Sequence, residues 1–213
     1  MDYPVTLSVE YPPRLSRLTT FFRFFMVIPQ AFVFAFVTIA AWFIMFLAWW
    51  AILFTARYPE TFFKFIAWWW RRASRFTGYI YLLTDKYPPF SGREDTEYPV
   101  IFRVEAPGTL SRLTTFFRFP VLPTPNYAFG KGWSWQWQPS AGMPMILPHA
   151  VILYFISIAS GVILFLAWWA ILFTGRYPRA FFDFVTWYFR WETRMGAYSY
   201  LVTDKYPPFT GRE

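Results

Sequence analysis

The chain has no cysteine and a single histidine, His149. The first absence excludes disulfides, thiolate metal sites and cysteine nucleophiles. The second excludes a bis-histidine haem held within the chain and leaves little from which to build a zinc site. No GxxxxGK, GxGxxG or GxSxG string occurs, so phosphate loops and nucleophile elbows are missing too. Charge is also scarce: 15% of residues are Asp, Glu, Lys or Arg, against about 25% in an ordinary soluble domain. Residues 24–56 and 132–175 contain none at all. Neither catalysis nor a cofactor is expected.

What the chain has in abundance is aromatic surface, 28 Phe, 14 Tyr and 13 Trp, with a formal net charge of +8. A basic balance suits nucleic acid or an anionic membrane surface. The two uncharged runs favour the membrane, because about 20 apolar residues suffice to cross a hydrocarbon core. Membrane helices are expected near residues 30–56 and 149–175. The first is too long, and too far from the N-terminus, for a cleaved signal peptide.

Three strings are written twice. LSRLTTFFRF stands at 15–24 and 110–119, LAWWAILFT at 47–55 and 166–174, TDKYPPF at 84–90 and 203–209. The chain therefore reads as two tandem copies, 1–95 and 96–213, the second enlarged by an insertion within 120–146. Each copy opens on an alternating segment such as YPVTLSVEYP, an edge strand by pattern. A short Arg- and Phe-rich segment follows, read as an interfacial helix that Pro29 ends. After the membrane helix comes an amphipathic helix. Around a helical wheel Glu60, Lys64, Arg71 and Arg75 fall on one stripe, with Phe62, Ile66, Trp69, Ala73 and Phe76 opposite. In the second copy Arg179, Asp183, Arg190 and Arg194 repeat the stripe, while Glu192 falls on the apolar side. GYIYLLT and GAYSYLVT then read as short closing strands. The expected fold is mainly α, an integral membrane tandem repeat. Each copy comprises a short strand, an interfacial helix, a membrane helix, an amphipathic interfacial helix and a short strand.

This order of a YPV strand, RLSRLTTFFR, a Pro-polar pair opening an apolar helix, ILFTGRYP, an aromatic amphipathic helix and a closing YLxTDxYPPF resembles the bacterial membrane family called domain of unknown function 4389. The resemblance covers nearly the whole chain, twice. It implies a membrane location and a repeat architecture, and no activity. The insertion departs from the pattern, as does Ala56, which stands where the second copy has the more usual Gly175.

If each copy crosses once, the second is inverted relative to the first. Arg14, Arg17, Arg23 and the six basic residues after Gly175 then lie on one side, nine of the twenty, leaving eleven on the other. That is almost no positive-inside bias. A re-entrant hairpin in each apolar run would put all twenty on one side, but it makes helices too short for the bilayer. A single crossing is favoured.

Candidate functional residues follow from these placements. Arg57, Arg71, Arg72, Arg75, Arg176, Arg190 and Arg194 suit lipid headgroups, beside an aromatic belt. Gln30 and His149, each after a proline at the head of a membrane helix, could hydrogen-bond a lipid or a quinone carbonyl. Trp133, Trp135 and Trp137 alternate in the insertion and suit a protein partner. Asp85 and Asp204 are expected to close Asx-type turns. Ala41, Ala48, Ala51 and Thr55, with Ser160, Ala167, Ala170 and Thr174, form small-residue stripes along which the two membrane helices would pack. The functional expectation is a non-catalytic accessory or scaffolding subunit of a larger bacterial inner-membrane complex, an electron-transport complex being one candidate. The alternative is an anionic-lipid-binding or membrane-shaping protein. Expected partners are anionic lipids and other membrane subunits, not nucleic acid.

Overall fold

A computed structural model describes residues 3–118 and 147–212; the insertion, with Trp133, Trp135 and Trp137, lies outside the described residues. The chain is mainly helical. In order it forms β1 (Val5–Val9), α1 (Arg17–Thr55), α2 (Glu60–Ile80), β2 (Val100–Val104), α3 (Arg112–Phe117), α4 (Leu147–Thr174) and α5 (Arg179–Ser199).

The two strands are the same segment of the two copies, and they pair with each other. β1 and β2 run antiparallel with Leu7 opposite Phe102 at the centre. Alternation turns Val5, Leu7, Val100 and Phe102 into the core and leaves Thr6, Ser8 and Arg103 outside.

Helix α1 corrects the expectation that Pro29 separates an interfacial helix from a membrane helix. It runs without interruption through Pro29. Proline inside a helix costs about 3 kcal/mol, yet Val27, Gln30, Ala31 and Phe34 on either side of it are all buried. Packing of that stripe holds the helix together. Because α1 and α4 are each continuous, the re-entrant hairpins do not form. The closing strands are absent as well: GYI and GAYS are the last turns of α2 and α5. Leu82 and Leu201 then adopt φ 63°, and the amides of Leu83 and Val202 bond back to the carbonyls of Gly78 and Ala197, both at 3.0 Å. Burial of both leucines offsets a left-handed backbone that costs roughly 1–2 kcal/mol.

In each copy the long helix and its successor form an antiparallel pair. Trp69 Nε1 donates to Thr38 Oγ1 at 3.1 Å, and Phe34 stacks on Trp69. Contacts between copies are reciprocal. The Leu15 amide bonds the Gly175 carbonyl at 3.0 Å, and the Leu110 amide bonds the Ala56 carbonyl at 2.9 Å. Trp168 Nε1 donates to the Thr20 carbonyl at 3.2 Å, and Trp49 Nε1 to the Thr115 carbonyl at 2.8 Å. The start of each copy therefore lies at the end of the other's long helix, so α1 and α4 are antiparallel and the copies are related by an approximate two-fold.

The result is layered. The β1–β2 ribbon packs on α2 and α5, which pack in turn on α1 and α4. The outermost helices are covered on one side only. Buried positions of α1 recur as Thr20, Arg23, Val27, Phe34, Ala41, Ala48 and Ile52, a stripe on one face. Its other side exposes large apolar residues from Leu18 through Phe25, Phe36 and Phe46 to Phe54. On α4, Val151, Phe155, Phe165 and Phe173 are exposed likewise. Both helices are long and apolar enough to cross a membrane, and only 33% and 17% of their most apolar stretches are covered by the rest of the chain. The core helix of a soluble protein would be mostly covered.

The two long helices end alike, except that Ala56 adopts the left-handed conformation (φ 56°) that Gly175 takes in the second copy (φ 70°). Alanine there costs about 1 kcal/mol more than glycine. Ala56→Gly is expected to raise stability by about that amount, and Gly175→Ala to lower it similarly, read from thermal unfolding in mild detergent.

Candidate functional site

The repeated strings meet at an ion pair between a buried arginine and a partly buried aspartate. Ser16 caps α1, its Oγ accepting from the Thr19 amide at 3.3 Å. Its own amide donates to Asp85 Oδ2. The other carboxylate oxygen takes Arg23 Nη2 at 2.6 Å. Arg23, buried over the Tyr79 ring at 4.3 Å, also donates from Nη1 to the carbonyls of Thr84, at 3.1 Å, and Tyr79. The second copy rebuilds this with Ser111, Arg118, Asp204, Tyr198 and Thr203. Asp85 and Asp204 therefore do not close Asx turns. Thr84 and Thr203 do that work, each Oγ1 accepting the amide two residues on at 3.1 Å. The signal in the sequence was the unchanged repetition of LSRLTTFFRF together with TDKYPPF.

A family model for a domain of unknown function, DUF4389, matches residues 17–92 and 144–211, well over half of the chain. The chain belongs to the DUF4389 family. No curated protein and no solved structure matches it. The two matched stretches of this DUF4389 chain correspond to the two copies. The first contains Arg23 and Asp85, and the second contains Asp204, with Arg118 lying before it on the far side of the insertion.

Most of the expected headgroup arginines are not free to meet lipid. Arg57 and Arg176 are exposed at the helix ends. Arg71, by contrast, donates Nε to the Gly92 carbonyl at 2.9 Å. Arg75 holds the carbonyls of Ser91 and Arg93 at 3.3 and 2.9 Å. Arg190 reaches the Leu7 carbonyl at 3.0 Å and Arg194 that of Thr210 at 3.1 Å. The polar stripes of α2 and α5 are real, but backbone covers Arg71, Arg75, Arg190 and Arg194, while Glu60, Lys64, Arg179 and Asp183 stay exposed. Glycine permits that approach: a Cβ on Gly92 or Gly211 would run into the carbonyl of Trp68 or Trp187.

The packing seam is also placed differently. Ala41, Ala48, Ser160 and Ala167 are buried, Ala51 and Ala170 partly so, and Thr55 and Thr174 are exposed. The two threonine hydroxyls bond the carbonyls of Ala51 and Ala170 at 2.7 and 2.6 Å. Ala48 packs with Trp49, Ile52, Tyr58, Leu110 and Leu201. The LAWWAILFT phrases thus do not meet along one another. Each meets the LSRLTTF string of the other copy, because antiparallel helices bring opposite ends together.

Gln30 lies within α1 rather than at a helix mouth, His149 stands in the first turn of α4, and both are wholly buried. They occupy equivalent positions in the two copies, but their surroundings differ. His149 Nδ1 accepts from Trp191 Nε1 at 3.0 Å, and its ring stacks on Phe209 at 3.9 Å. The residues equivalent to Trp191 and Phe209 are Arg72 and Phe90. Arg72 is 2% exposed, within 5.9–6.0 Å of the rings of Phe34, Trp68 and Phe90. Its Nε and Nη2, and both amide atoms of Gln30, have no hydrogen-bond partner. Burial draws the Arg72 pKa below the ordinary arginine value, with no acidic group opposing the shift. Cation–π contacts supply about 0.5–2 kcal/mol, whereas an unpaired buried ion costs several.

Glu192 lies between the copies. It replaces Ala73 of the first copy and pairs with a tyrosine, not with an arginine: Tyr81 Oη donates to Glu192 Oε2 at 3.2 Å. Burial raises its pKa from 4.5 to about 7, the Tyr81 bond opposing part of the rise. A carboxyl whose folded pKa is raised contributes most below the unfolded value and loses that contribution as pH climbs to the folded one. Stability is therefore expected to fall between about pH 4.5 and 7, and Glu192→Gln to flatten that slope, measured as thermal midpoint against pH for both proteins.

Proposed function

We propose that this DUF4389 chain is a non-catalytic membrane protein that lies in one leaflet by the α1–α4 face, and that it works by engaging anionic lipid at that surface. The single observation that carries the reading is the one-sidedness of α1. Its exposed apolar residues run from 18 to 54, about 54 Å at 1.5 Å per residue. A hydrocarbon core is about 30 Å thick. To cross it with that whole stripe in lipid, the helix would have to tilt by more than about 50°, beyond the usual range of 0–40°. A helix lying in the plane needs only about 10–12 Å of depth.

The layering supports the same orientation. An approximate two-fold relates the copies, and the ribbon and the apolar face lie at opposite ends of the stack. With the face in lipid, the polar ribbon and the loops that clasp α2 and α5 point to water. The nineteen Lys and Arg of the described residues then lie on one side of the membrane, which removes the near-even split of the crossing reading. Arg57 and Arg176, exposed at the ends of α1 and α4, meet headgroup phosphate at the edge of the face.

An accessory or scaffolding role in a larger complex of a bacterial inner membrane, one of electron transport included, is the second reading. The exposed aromatic surface of α1 and α4 favours it, since aromatic residues are enriched at protein contacts as well. Extraction in mild detergent separates the two: a lone 25.5 kDa species counts against a subunit, and a defined larger assembly counts for one.

Orientation is tested with single cysteines, which the natural chain lacks. Spin labels at Phe25, Phe36, Phe46 and Phe165, in vesicles containing phosphatidylglycerol, are expected to report similar, shallow depths. A profile that passes through the bilayer centre would restore the crossing. Flotation with vesicles of neutral lipid alone is expected to be the weaker.

A further inference from the structure

We propose that Arg72 and Gln30 form a binding site for a phosphate anion in the first copy, at a place that the second copy has closed. The inference deepens the lipid reading and rests on it only for the source of the phosphate.

The comparison of the two copies with each other carries it. Where the second copy joins His149 to Trp191 by a 3.0 Å hydrogen bond and caps the pair with Phe209, the first has Gln30, Arg72 and Phe90. Both copies bury this position completely. The second leaves one polar atom here without a partner, His149 Nε2, whereas the first leaves four: Nε and Nη2 of Arg72, Nε2 and Oε1 of Gln30. Nε and Nη2 are the two donors of one guanidinium edge, the planar fork that grips a phosphate or carboxylate through two parallel bonds. Gln30 Nε2 adds a third donor, and its Oε1 suits a hydroxyl such as a glycerol headgroup carries.

The other buried arginines are spoken for. Arg23 and Arg118 have aspartates, and Arg75 and Arg194 hold backbone carbonyls. Arg72 has neither among the described residues, and its guanidinium lies 5.9–6.0 Å from the rings of Phe34, Trp68 and Phe90. One of these, Phe90, is 52% exposed, so the site lies just beneath a surface ring and not in the depth of the core. The aromatic walls keep water from competing for the anion, which strengthens each bond to it.

The test uses the full chain in non-ionic detergent, with native mass spectrometry and thermal unfolding as readouts. Phosphatidylglycerol, phosphatidylcholine and inorganic phosphate are added separately. One variant, Gln30→His with Arg72→Trp, installs the second copy's own pair; the other, Arg72→Met, removes the charge at similar length. The natural chain is expected to retain one phosphatidylglycerol and to melt higher with it, and both variants to bind it about tenfold more weakly or worse. Without ligand, Arg72→Met is expected to be no less stable than the natural chain, because it removes an unpaired buried charge. Binding of inorganic phosphate with the same dependence on Arg72 assigns the site to a free anion. A natural chain that binds neither probe overturns the site, as does binding that neither variant weakens. A chain that fails to float with vesicles yet holds inorganic phosphate through Arg72 overturns the lipid reading and leaves the site standing.

Discussion

The ion pair of Arg23 with Asp85, and its copy of Arg118 with Asp204, is the interaction on which the rest of the structure depends. Each pair ties the start of a copy to its end, across 62 and 86 residues of chain, and so closes the long helix and its successor into one unit. Each aspartate is 25% exposed while its arginine is buried, so removing the aspartate leaves a buried cation unpaired, at a cost of up to about 3–5 kcal/mol. The same segment also serves the neighbouring copy. Thr20 and Thr115, one turn before the arginines, offer their carbonyls to Trp168 and Trp49 of the opposite copy, and Leu15 and Leu110 bond the opposite helix ends. LSRLTTFFRF is thus fixed by contacts on three sides. TDKYPPF and LAWWAILFT are fixed as its partners within and between copies, and all three strings must be written twice because the same interface is made twice.

That logic marks how far the sequence could be read. The duplication, the long apolar helices, the amphipathic helices and the opening strands follow from repetition and period, and all of them are present. The polar stripe of α2 was legible too, since a helical wheel fixes which residues share a face. What a wheel leaves open is what lies against that face. Arg71 and Arg75 look like headgroup ligands until the backbone around Gly92 is laid across them. Pro29 and the GYIY segment misled for a related reason. Local preference is worth about 3 kcal/mol at most, and a buried stripe that includes Val27, Ala31 and Phe34 outweighs it.

The two-fold places the copies' common features and leaves their differences in plain view. Where both copies carry the same residue, as at the arginine–aspartate pairs, the residue holds the fold. Three clustered positions break the symmetry: Gln30 against His149, Arg72 against Trp191, and Ala73 against Glu192. In the second copy the indole donates to the imidazole, leaving only His149 Nε2 without a partner, and the glutamate takes Tyr81 of the first copy. In the first copy the corresponding polar atoms of Gln30 and Arg72 have no partner.

The second copy takes the same fold with His149 and Trp191 at these positions, so the fold itself does not require an arginine there. Burying its charge is unfavourable in the absence of a counterion, and the neighbouring aromatic rings compensate only in part. An unpaired buried charge where the same fold elsewhere takes a tryptophan is the kind of residue that a ligand from outside the chain would account for. If the α1–α4 face lies in lipid as proposed, the phosphate of a headgroup has the charge and geometry that match a guanidinium edge beside an amide.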